Sequence, residues 1–337
     1  MLIKNQVLSK LRKEQDMPAS HTLIIEDARY LQHLTGPLHV ECPERFTVIS
    51  QALALSGLKT DQNTRHPRKA TKEDILLCHK EDYYHLVQNE VKFAESNGSS
   101  TLSTGDVNIC PQSFDVALLA VGGVLTAVDA VLNKEAQNAF CIVRPPGHHA
   151  KKAQGKGFCL FNNVAIGARY AQKRVPSIKK VLIVDWDLHH GDGTQDIFEE
   201  DPSVFYFSTH EQGNYPGTGD NQDIGKGQAA GTMLNCPIKG GENARFEILK
   251  AFYKKLIPAM ESFAPDLVMI SAGFDAHYLD PLGNFNLTEI DFAELTKLTK
   301  QIAHQYAESR IISVLEGGYH LEALSRSANA HVEALAL

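Results

Sequence analysis

Short β-branched and apolar runs alternate along this chain with longer segments of helical periodicity. Apolar residues recur every three or four positions at residues 114–132, 163–174, 244–263 and 287–308, which predicts helices there. Strands are predicted at residues 21–25, 139–143, 181–184, 204–207, 267–270 and 311–314. This alternation is typical of βα units, so we predict an α/β domain with a mostly parallel sheet.

Polar, glycine-containing sequences follow five of these strands directly. They are RPPGHHA after residue 143, DWDLHHGDGT after 184, STHEQGNYPGTGD after 207, SAGFDAH after 270 and LEGGYH after 314. The carboxyl ends of parallel strands lie along one edge of a sheet, and ligands bind at that edge. We therefore predict that these five sequences, although far apart in the chain, build one site.

Composition favours a single globular domain. The chain has 337 residues, of which 43% are hydrophobic and 22% charged, and no linker rich in Pro, Gly or Ser divides it. We predict one domain over residues 21–337, preceded by a basic arm or helix at residues 1–20. The net charge of −7 argues against direct binding to nucleic acid. A homo-oligomer is compatible with the sequence, which does not determine the oligomeric state.

The cysteine and hydropathy patterns indicate the compartment. The six cysteines are scattered without a CxxC spacing, as expected for reduced thiols in a cytoplasmic protein. No apolar run approaches the length of a membrane span, and the N-terminus lacks a signal-peptide core. We expect a cytoplasmic protein without membrane contact, with organellar targeting by the basic N-terminus as the minor alternative.

The sequence around Asp187 and His189 suggests a metal site. Alternate side chains of an extended backbone share a face, so both groups can point into one cavity. Zinc accepts carboxylate oxygen and imidazole nitrogen, and a catalytic zinc site has three protein ligands with one open position. Asp275 is the best candidate for the third ligand, because it follows another apolar strand. An isolated DxH is more often a turn with capping groups, but the neighbouring polar sequences favour the metal.

Two adjacent histidines, His148 and His149, follow the rigid stretch RPPG. A hydrolytic metal site needs a general base, and imidazole titrates in the useful range. Asp185 and Asp192 lie near the proposed metal ligands in the sequence but are not assigned as ligands. Each could orient one histidine by a hydrogen bond. An adjacent histidine pair taken alone is weak evidence, since such pairs also occur on solvated loops.

Tyr319 follows two glycines that allow the backbone to turn sharply. Its phenol could donate a hydrogen bond to the oxyanion that forms when water attacks an amide carbonyl. A tyrosine buried at the end of a strand is an equally good interpretation of this residue alone.

Taken together, these sequences resemble the zinc-dependent histone deacetylase family, which includes acetylpolyamine amidohydrolases and acetoin-utilisation proteins. RPPGHHA, GFCLFNN, VDWDLHHGDGTQDIF, YPGTGD, SAGFDAH, DPLG and LEGGY occur in the family's order, from residue 36 to residue 324. The residues within these motifs are most similar to those of class II deacetylases and their bacterial relatives. The resemblance implies an arginase/deacetylase-like three-layer α/β domain, with a central eight-stranded sheet flanked by helices.

The resemblance also implies residue roles. Zn²⁺ would be held by Asp187, His189 and Asp275; His149 would be the general base, with Asp192 behind it. His148, held by Asp185, would be the electrostatic partner, and Tyr319 would polarise the substrate carbonyl. A structural K⁺ would be bound by the side chains of Asp185, Asp187 and Ser208 and by carbonyls of Asp187, His189 and Thr209. Phe158 and Tyr215 would form the walls of an acyl-lysine tunnel with Gly157 at its floor.

The substrate implied by the resemblance is an acylated lysine of a peptide or protein, with an acetylpolyamine or another small N-acetylated amine as the alternative. The polyamine-specific vertebrate member has a glutamate in the DPxG loop where this chain has Leu282, which favours acyl-lysine. Asp106 could accept backbone hydrogen bonds from a peptide at the rim, or could simply be a turn residue. A binuclear manganese ureohydrolase and a non-enzymatic binder of acetylated ligands are weaker alternatives, because the set of catalytic residues is complete.

Overall fold

A computed structural model describes residues 22–337, and the predicted N-terminal arm lies outside this range. Ten strands are present in the described part of the chain. They are β1 (Thr22–Ile25), β2 (Thr64–Arg65), β3 (Ser100–Thr101), β4 (Asn108–Ile109), β5 (Asn138–Cys141), β6 (Val181–Asp185), β7 (Val204–Glu211), β8 (Met233–Ile238), β9 (Leu267–Ala272) and β10 (Ile311–Leu315).

Eight of these strands form one parallel sheet in the order β2-β1-β5-β10-β9-β6-β7-β8, which confirms the predicted architecture. The central strands β5, β6, β9 and β10 are buried along their whole length. Continuous apolar runs are expected where a parallel sheet is covered on both faces. Strands β3 and β4 form a separate antiparallel pair.

The helices of the described range are α1 (Glu44–Leu55), α2 (Lys72–Ile75), α3 (Glu81–Lys92), α4 (Ser113–Leu132), α5 (Asn163–Arg174), α6 (Asp192–Phe198), α7 (Ala244–Ala251), α8 (Ile257–Phe263), α9 (Glu289–Tyr306) and α10 (Leu321–Ala336). They flank the sheet in packed groups, with α4 against α5 and α10 against both α9 and α1. Residues 244–263, predicted as one helix, contain a π-helical turn at Phe252–Leu256 between α7 and α8.

Helix α4 corrects one expectation from the sequence. Its 20 residues are long and apolar enough to cross a membrane by length and composition. In the fold, however, 78% of its apolar window is buried, and a core helix of a soluble protein passes the same test. A Cβ at Gly122 would lie 1.8 Å from the carbonyl oxygen of Arg68, so the chain packs directly against this helix. The apolar run therefore belongs to the core of the domain.

The sheet order explains why the polar sequences converge. Strands β5, β10, β9, β6 and β7 are consecutive in the sheet, and one of the five polar sequences begins at or near the carboxyl end of each strand, or, for β7, within its second half. The register places Asp185 at the end of β6 beside Ser208 of β7 and Ser271 of β9. The predicted site residues are thus delivered to one edge by neighbouring strands.

Candidate active site

Three acidic and imidazole side chains meet at the carboxyl edge of the sheet. Ligand atoms of Asp187, His189 and Asp275 all lie within 4.8 Å of one another. His189 Nδ1 is 3.1 Å from Asp187 Oδ1 and 3.1 Å from Asp275 Oδ2. Backbone groups orient both carboxylates, because Leu188 N donates to Asp275 Oδ1 (2.9 Å) and Gly317 N donates to Asp187 Oδ2 (2.8 Å). The cluster is therefore preorganised.

Glycine is required next to this cluster at two positions. A Cβ at Gly273 would lie 2.1 Å from Asp187 Oδ2, and a Cβ at Gly317 would lie 2.1 Å from Asp275 Oδ2. Neither carboxylate could keep its place if the neighbouring backbone carried a side chain. The glycines of SAGFDAH and LEGGYH thus make room for the acidic groups.

The charge of the cluster fits a divalent cation. Asp187 and Asp275 are fully buried, and burial together with the charge of Asp187 raises the pKa of Asp275 to about 7. Burial lowers the pKa of His189, but hydrogen bonds to Asp187 and Asp275 outweigh burial and raise it to about 10. Two buried carboxylates side by side need a positive charge between them. Two oxygen donors and one nitrogen donor form a set that suits zinc.

Each histidine of the RPPGHHA sequence is paired with one aspartate. His148 Nδ1 is 3.0 Å from Asp185 Oδ2, and His149 Nδ1 is 2.9 Å from Asp192 Oδ1. With Nδ1 of each ring donating to a carboxylate, Nε2 of His149 is free to accept a proton in the cavity that this residue lines.

The two histidines have opposite pKa shifts. Burial lowers the pKa of His148, but the carboxylates of Asp187 and Asp185 outweigh burial and raise it well above its usual value. Burial and the neighbouring His148 together lower the pKa of His149 to about 3. His148 is therefore suited to carry a positive charge, and His149 is suited to be a neutral base.

Two lysines that the sequence analysis did not select contact Asp192, the hydrogen-bond partner of His149. Lys151 Nζ and Lys156 Nζ lie 3.2 Å and 3.0 Å from Asp192 Oδ2, the oxygen that His149 does not use. Burial raises the pKa of Asp192, but His149 and Lys156 outweigh burial and lower it. Both lysines follow GHHA closely in the sequence, but no spacing signal indicated that they return to this carboxylate.

Glu316, at the start of the LEGGYH sequence, was also missed. Its Oε2 accepts hydrogen bonds from Gly147 N (2.7 Å) and His148 N (3.1 Å), and it is fully buried. It therefore ties the histidine loop to the end of β10. The sequence shows a glutamate before two glycines, but not which backbone groups it faces.

Tyr319 lines the cavity above the metal cluster. Burial and then the charge of Asp275 raise the pKa of Tyr319 well above its usual value, so its hydroxyl remains a hydrogen-bond donor. The guanidinium of Arg45 lies 5.0 Å from the centre of the Tyr319 ring. Arg45 also donates to Glu41 Oε1 (3.0 Å), and Glu41 in turn binds Arg144. These three charged residues are fully buried, and sequence reasoning did not select them.

A cavity of about 200 Å³ leads to the cluster. Its lining contains every residue predicted for the acyl tunnel and its rim: Asp106, Gly157, Phe158, Tyr215 and Leu282. The Phe158 and Tyr319 rings are 5.9 Å apart, and the Tyr215 and His149 rings are 5.1 Å apart.

Asp106 has a definite place at the mouth of this cavity. Its Oδ1 accepts hydrogen bonds from Gly157 N (2.7 Å) and Tyr215 Oη (3.2 Å). The residue therefore lies at the rim, as one of its two interpretations requires, and it also links Gly157 to Tyr215. Asn214 lines the cavity as well and was not selected from the sequence.

The residues predicted to bind potassium lie next to one another. Asp185 is the buried last residue of β6, and Ser208 and Thr209 are buried within β7. Asp185 Oδ2 accepts from Tyr206 Oη (2.9 Å), and a hydrogen bond of 2.8 Å joins Ser208 Oγ to His210 Nδ1. Among the described residues, Thr209 Oγ1 has no hydrogen-bond partner.

Comparison with known proteins identifies the neighbours of this chain. A family model described as "Histone deacetylase domain" matches residues 39–335. "Histone deacetylase 14, chloroplastic" of Arabidopsis thaliana is 36% identical over 92% of this chain and 77% of that protein. Human "Polyamine deacetylase HDAC10" is 38% identical over 88% of this chain and 44% of that protein. The solved HDA15 HD domain superposes with a TM-score of 0.86 at 34% identity, covering 95% of this chain and 89% of that one.

Proposed function

Because the chain belongs to the histone deacetylase family and is a hydrolase acting on amide bonds, we propose that it removes acetyl or longer acyl groups from lysine side chains of peptides or proteins. The observation that carries this proposal is a cavity lined by Phe158 and Tyr215 that reaches His189. Asp187 and Asp275 lie directly beside this histidine. The aliphatic stem of an acylated lysine is uncharged and fits between aromatic walls. Its amide would then reach the metal cluster and Tyr319.

The proposed metal is zinc, held by Asp187, His189 and Asp275. Zinc bound there would supply the Lewis acidity that polarises the acyl carbonyl and makes water nucleophilic at neutral pH. His149 takes the proton of the attacking water and delivers it to the leaving amine. Asp192 keeps the His149 ring in one orientation through the 2.9 Å hydrogen bond.

The Tyr319 hydroxyl donates a hydrogen bond to the developing oxyanion. His148, paired with Asp185, adds positive charge close to the reacting atoms. Phe158 and Tyr215 hold the acyl-lysine stem and exclude water from the amide. The products are a carboxylate, such as acetate, and a free lysine amine.

We propose acyl-lysine rather than an acetylpolyamine as the substrate because of the rim. Leu282 carries no charge that would attract the ammonium groups of a polyamine. Asp106, the acidic residue of the cavity lining, has one oxygen engaged with Gly157 and Tyr215. Its other oxygen is available for backbone N–H groups of a peptide. The relatives include both histone deacetylases and a polyamine deacetylase, so the choice rests on these contacts.

This choice predicts a ranking of substrates. The kcat/KM for an acetyl-lysine peptide should exceed that for acetylspermidine by about tenfold or more, since each lost contact at a specific site is worth ~1–3 kcal/mol. Leu282→Glu should raise kcat/KM for acetylspermidine about fivefold, because an exposed ion pair contributes up to ~1 kcal/mol. Leu282→Gln is the matched control, because glutamine has the shape of glutamate but no charge. Wild-type protein that prefers acetylspermidine would establish the alternative function.

We further propose that potassium binds beside Asp185, Ser208 and Thr209. Buried oxygen donors next to a buried carboxylate are suited to a cation that has shed its water. Replacing the sodium of the buffer by potassium at constant ionic strength should then raise both activity and melting temperature, because a ligand that binds the folded state stabilises it. Thermal unfolding and rates measured over a potassium titration would check this. Flat profiles in both measurements would reject the site.

A further inference from the structure

Asp280, the first residue of the DPLG sequence, is a buried carboxylate to which the proposed reaction assigns no role. It is 6% exposed. Its Oδ2 accepts hydrogen bonds from Tyr319 N (2.6 Å) and His320 N (3.2 Å), and its Oδ1 accepts one from Leu282 N (3.1 Å). Since both oxygens are occupied by backbone donors, Asp280 is not arranged as a metal ligand. It joins the loop that carries Leu282 to the segment that carries Tyr319.

The segment on the other side of Tyr319 is held by Arg45. This guanidinium donates to the carbonyl oxygens of Gly318 (2.7 Å) and Glu316. Gly318 has φ 117°, a left-handed conformation with little intrinsic stiffness. Arg45 thus fixes the carbonyl oxygens of Glu316 and Gly318, which precede Tyr319. The Asp280 carboxylate fixes the N–H groups of Tyr319 and His320. Two glycines before a reacting side chain need such anchors, since a displacement of about 1 Å can cost about 100-fold in rate.

We propose that Asp280 is a positioning residue that fixes the Tyr319 backbone, and with it the hydroxyl that donates to the oxyanion. Asp280 acts through Tyr319 and does not touch the substrate. The inference rests on the proposed function of Tyr319. The same carboxylate also accepts a hydrogen bond from Leu282 N, and Leu282 lines the cavity. Asp280 therefore connects the rim residue Leu282 to the backbone of Tyr319.

A double-mutant cycle tests this inference. Asp280→Asn keeps the size of the side chain and removes its charge, and it should lower kcat for an acetyl-lysine peptide by about 10- to 100-fold, with KM changed less than about threefold. In a Tyr319→Phe background, the same substitution should lower kcat by about twofold or less, because the hydroxyl to be positioned is already absent. Zinc content should be unchanged in all variants.

Asp291→Asn is the matched control. Asp291 is also a buried carboxylate that accepts a backbone hydrogen bond, from Thr288 N (2.9 Å), but it caps helix α9. It should lower the melting temperature without lowering kcat in folded protein. If Asp280→Asn does not fold, Asp280→Ser, which retains a small acceptor, enters the same cycle with the same expectation.

Two results would overturn the inference. An equal loss of kcat in the wild-type and Tyr319→Phe backgrounds would show that Asp280 acts independently of the hydroxyl. Unchanged kcat in folded Asp280→Asn would show that the carboxylate positions nothing that matters for the reaction. In both cases the proposed function of Tyr319 stands, because the Tyr319→Phe arm measures it separately. Full activity of Tyr319→Phe would instead reject both that function and this inference.

Discussion

Replacing Asp275 by alanine should abolish both zinc binding and amide hydrolysis. The substitution removes one of three ligands and leaves Asp187 and His189, an incomplete set for a catalytic zinc site. We expect bound zinc to fall from about one ion per chain to near zero, measured by elemental analysis. Because the metal contributes several kcal/mol to the transition state, kcat/KM should fall by about 1,000-fold or more.

The same substitution deprives Leu188 N of its hydrogen-bond acceptor, so the folded state must be checked. Asp275→Asn keeps an oxygen at this position and is the milder companion variant. Circular dichroism and thermal unfolding should show folded protein for at least the Asn variant. Wild-type turnover in a folded, zinc-free Asp275→Ala protein would reject the metal assignment. Reversible loss of wild-type activity with a chelator, restored by zinc, is the parallel expectation.

Replacing Tyr319 by phenylalanine should leave a folded, zinc-binding protein that turns over poorly. The change removes one hydroxyl and keeps the ring that packs 5.0 Å from Arg45 and 5.9 Å from Phe158. One oxyanion donor is typically worth ~2.7–4 kcal/mol, so kcat should fall by about 100- to 1,000-fold. KM should change little, because the hydroxyl acts on a charge that develops only in the transition state.

Tyr278→Phe is the control for Tyr319→Phe. Tyr278 is 51% exposed, and it lies shortly after Asp275 in the sequence. It should retain the wild-type rate. Steady-state rates on an acetyl-lysine peptide, with zinc content measured on the same samples, provide the comparison. A wild-type kcat in the Tyr319→Phe protein would remove this tyrosine from the mechanism.

Much of the fold was accessible from local patterns. Strands β5, β6, β7, β9 and β10 are each dominated by apolar residues over most of their length or their first half, and each lies within a few residues of its predicted position. Strand β8 was missed because Asn235 and Pro237 interrupt its apolar pattern, and this strand can accommodate a proline because it lies at the edge of the sheet. Strand β2 has only two residues and carries no periodic signal.

The candidate site likewise contains residues that the sequence predicted and residues that it did not. Motif order and the rule for parallel sheets predicted that Asp187, His189 and Asp275 would meet, and the fold brings them within 4.8 Å. Their roles stay predictions until they are measured. The groups that hold the site together were not predicted: Lys151, Lys156, Glu316, Arg45 and Asp280. Each acts on residues supplied by another loop or strand end, and no local spacing encodes such a contact.

The sequence by itself determined the class of the domain, the edge of the sheet at which the site lies, and the residue types available there. These properties depend on periodicity and on neighbours a few residues apart, which short stretches of sequence record. Only the tertiary structure decided that Lys151 and Lys156 return to the carboxylate of Asp192, and that Asp280 holds the backbone of Tyr319. Such pairings depend on how loops from separate strands pack, because contacts over long sequence separations are selected by the whole core rather than by any one segment.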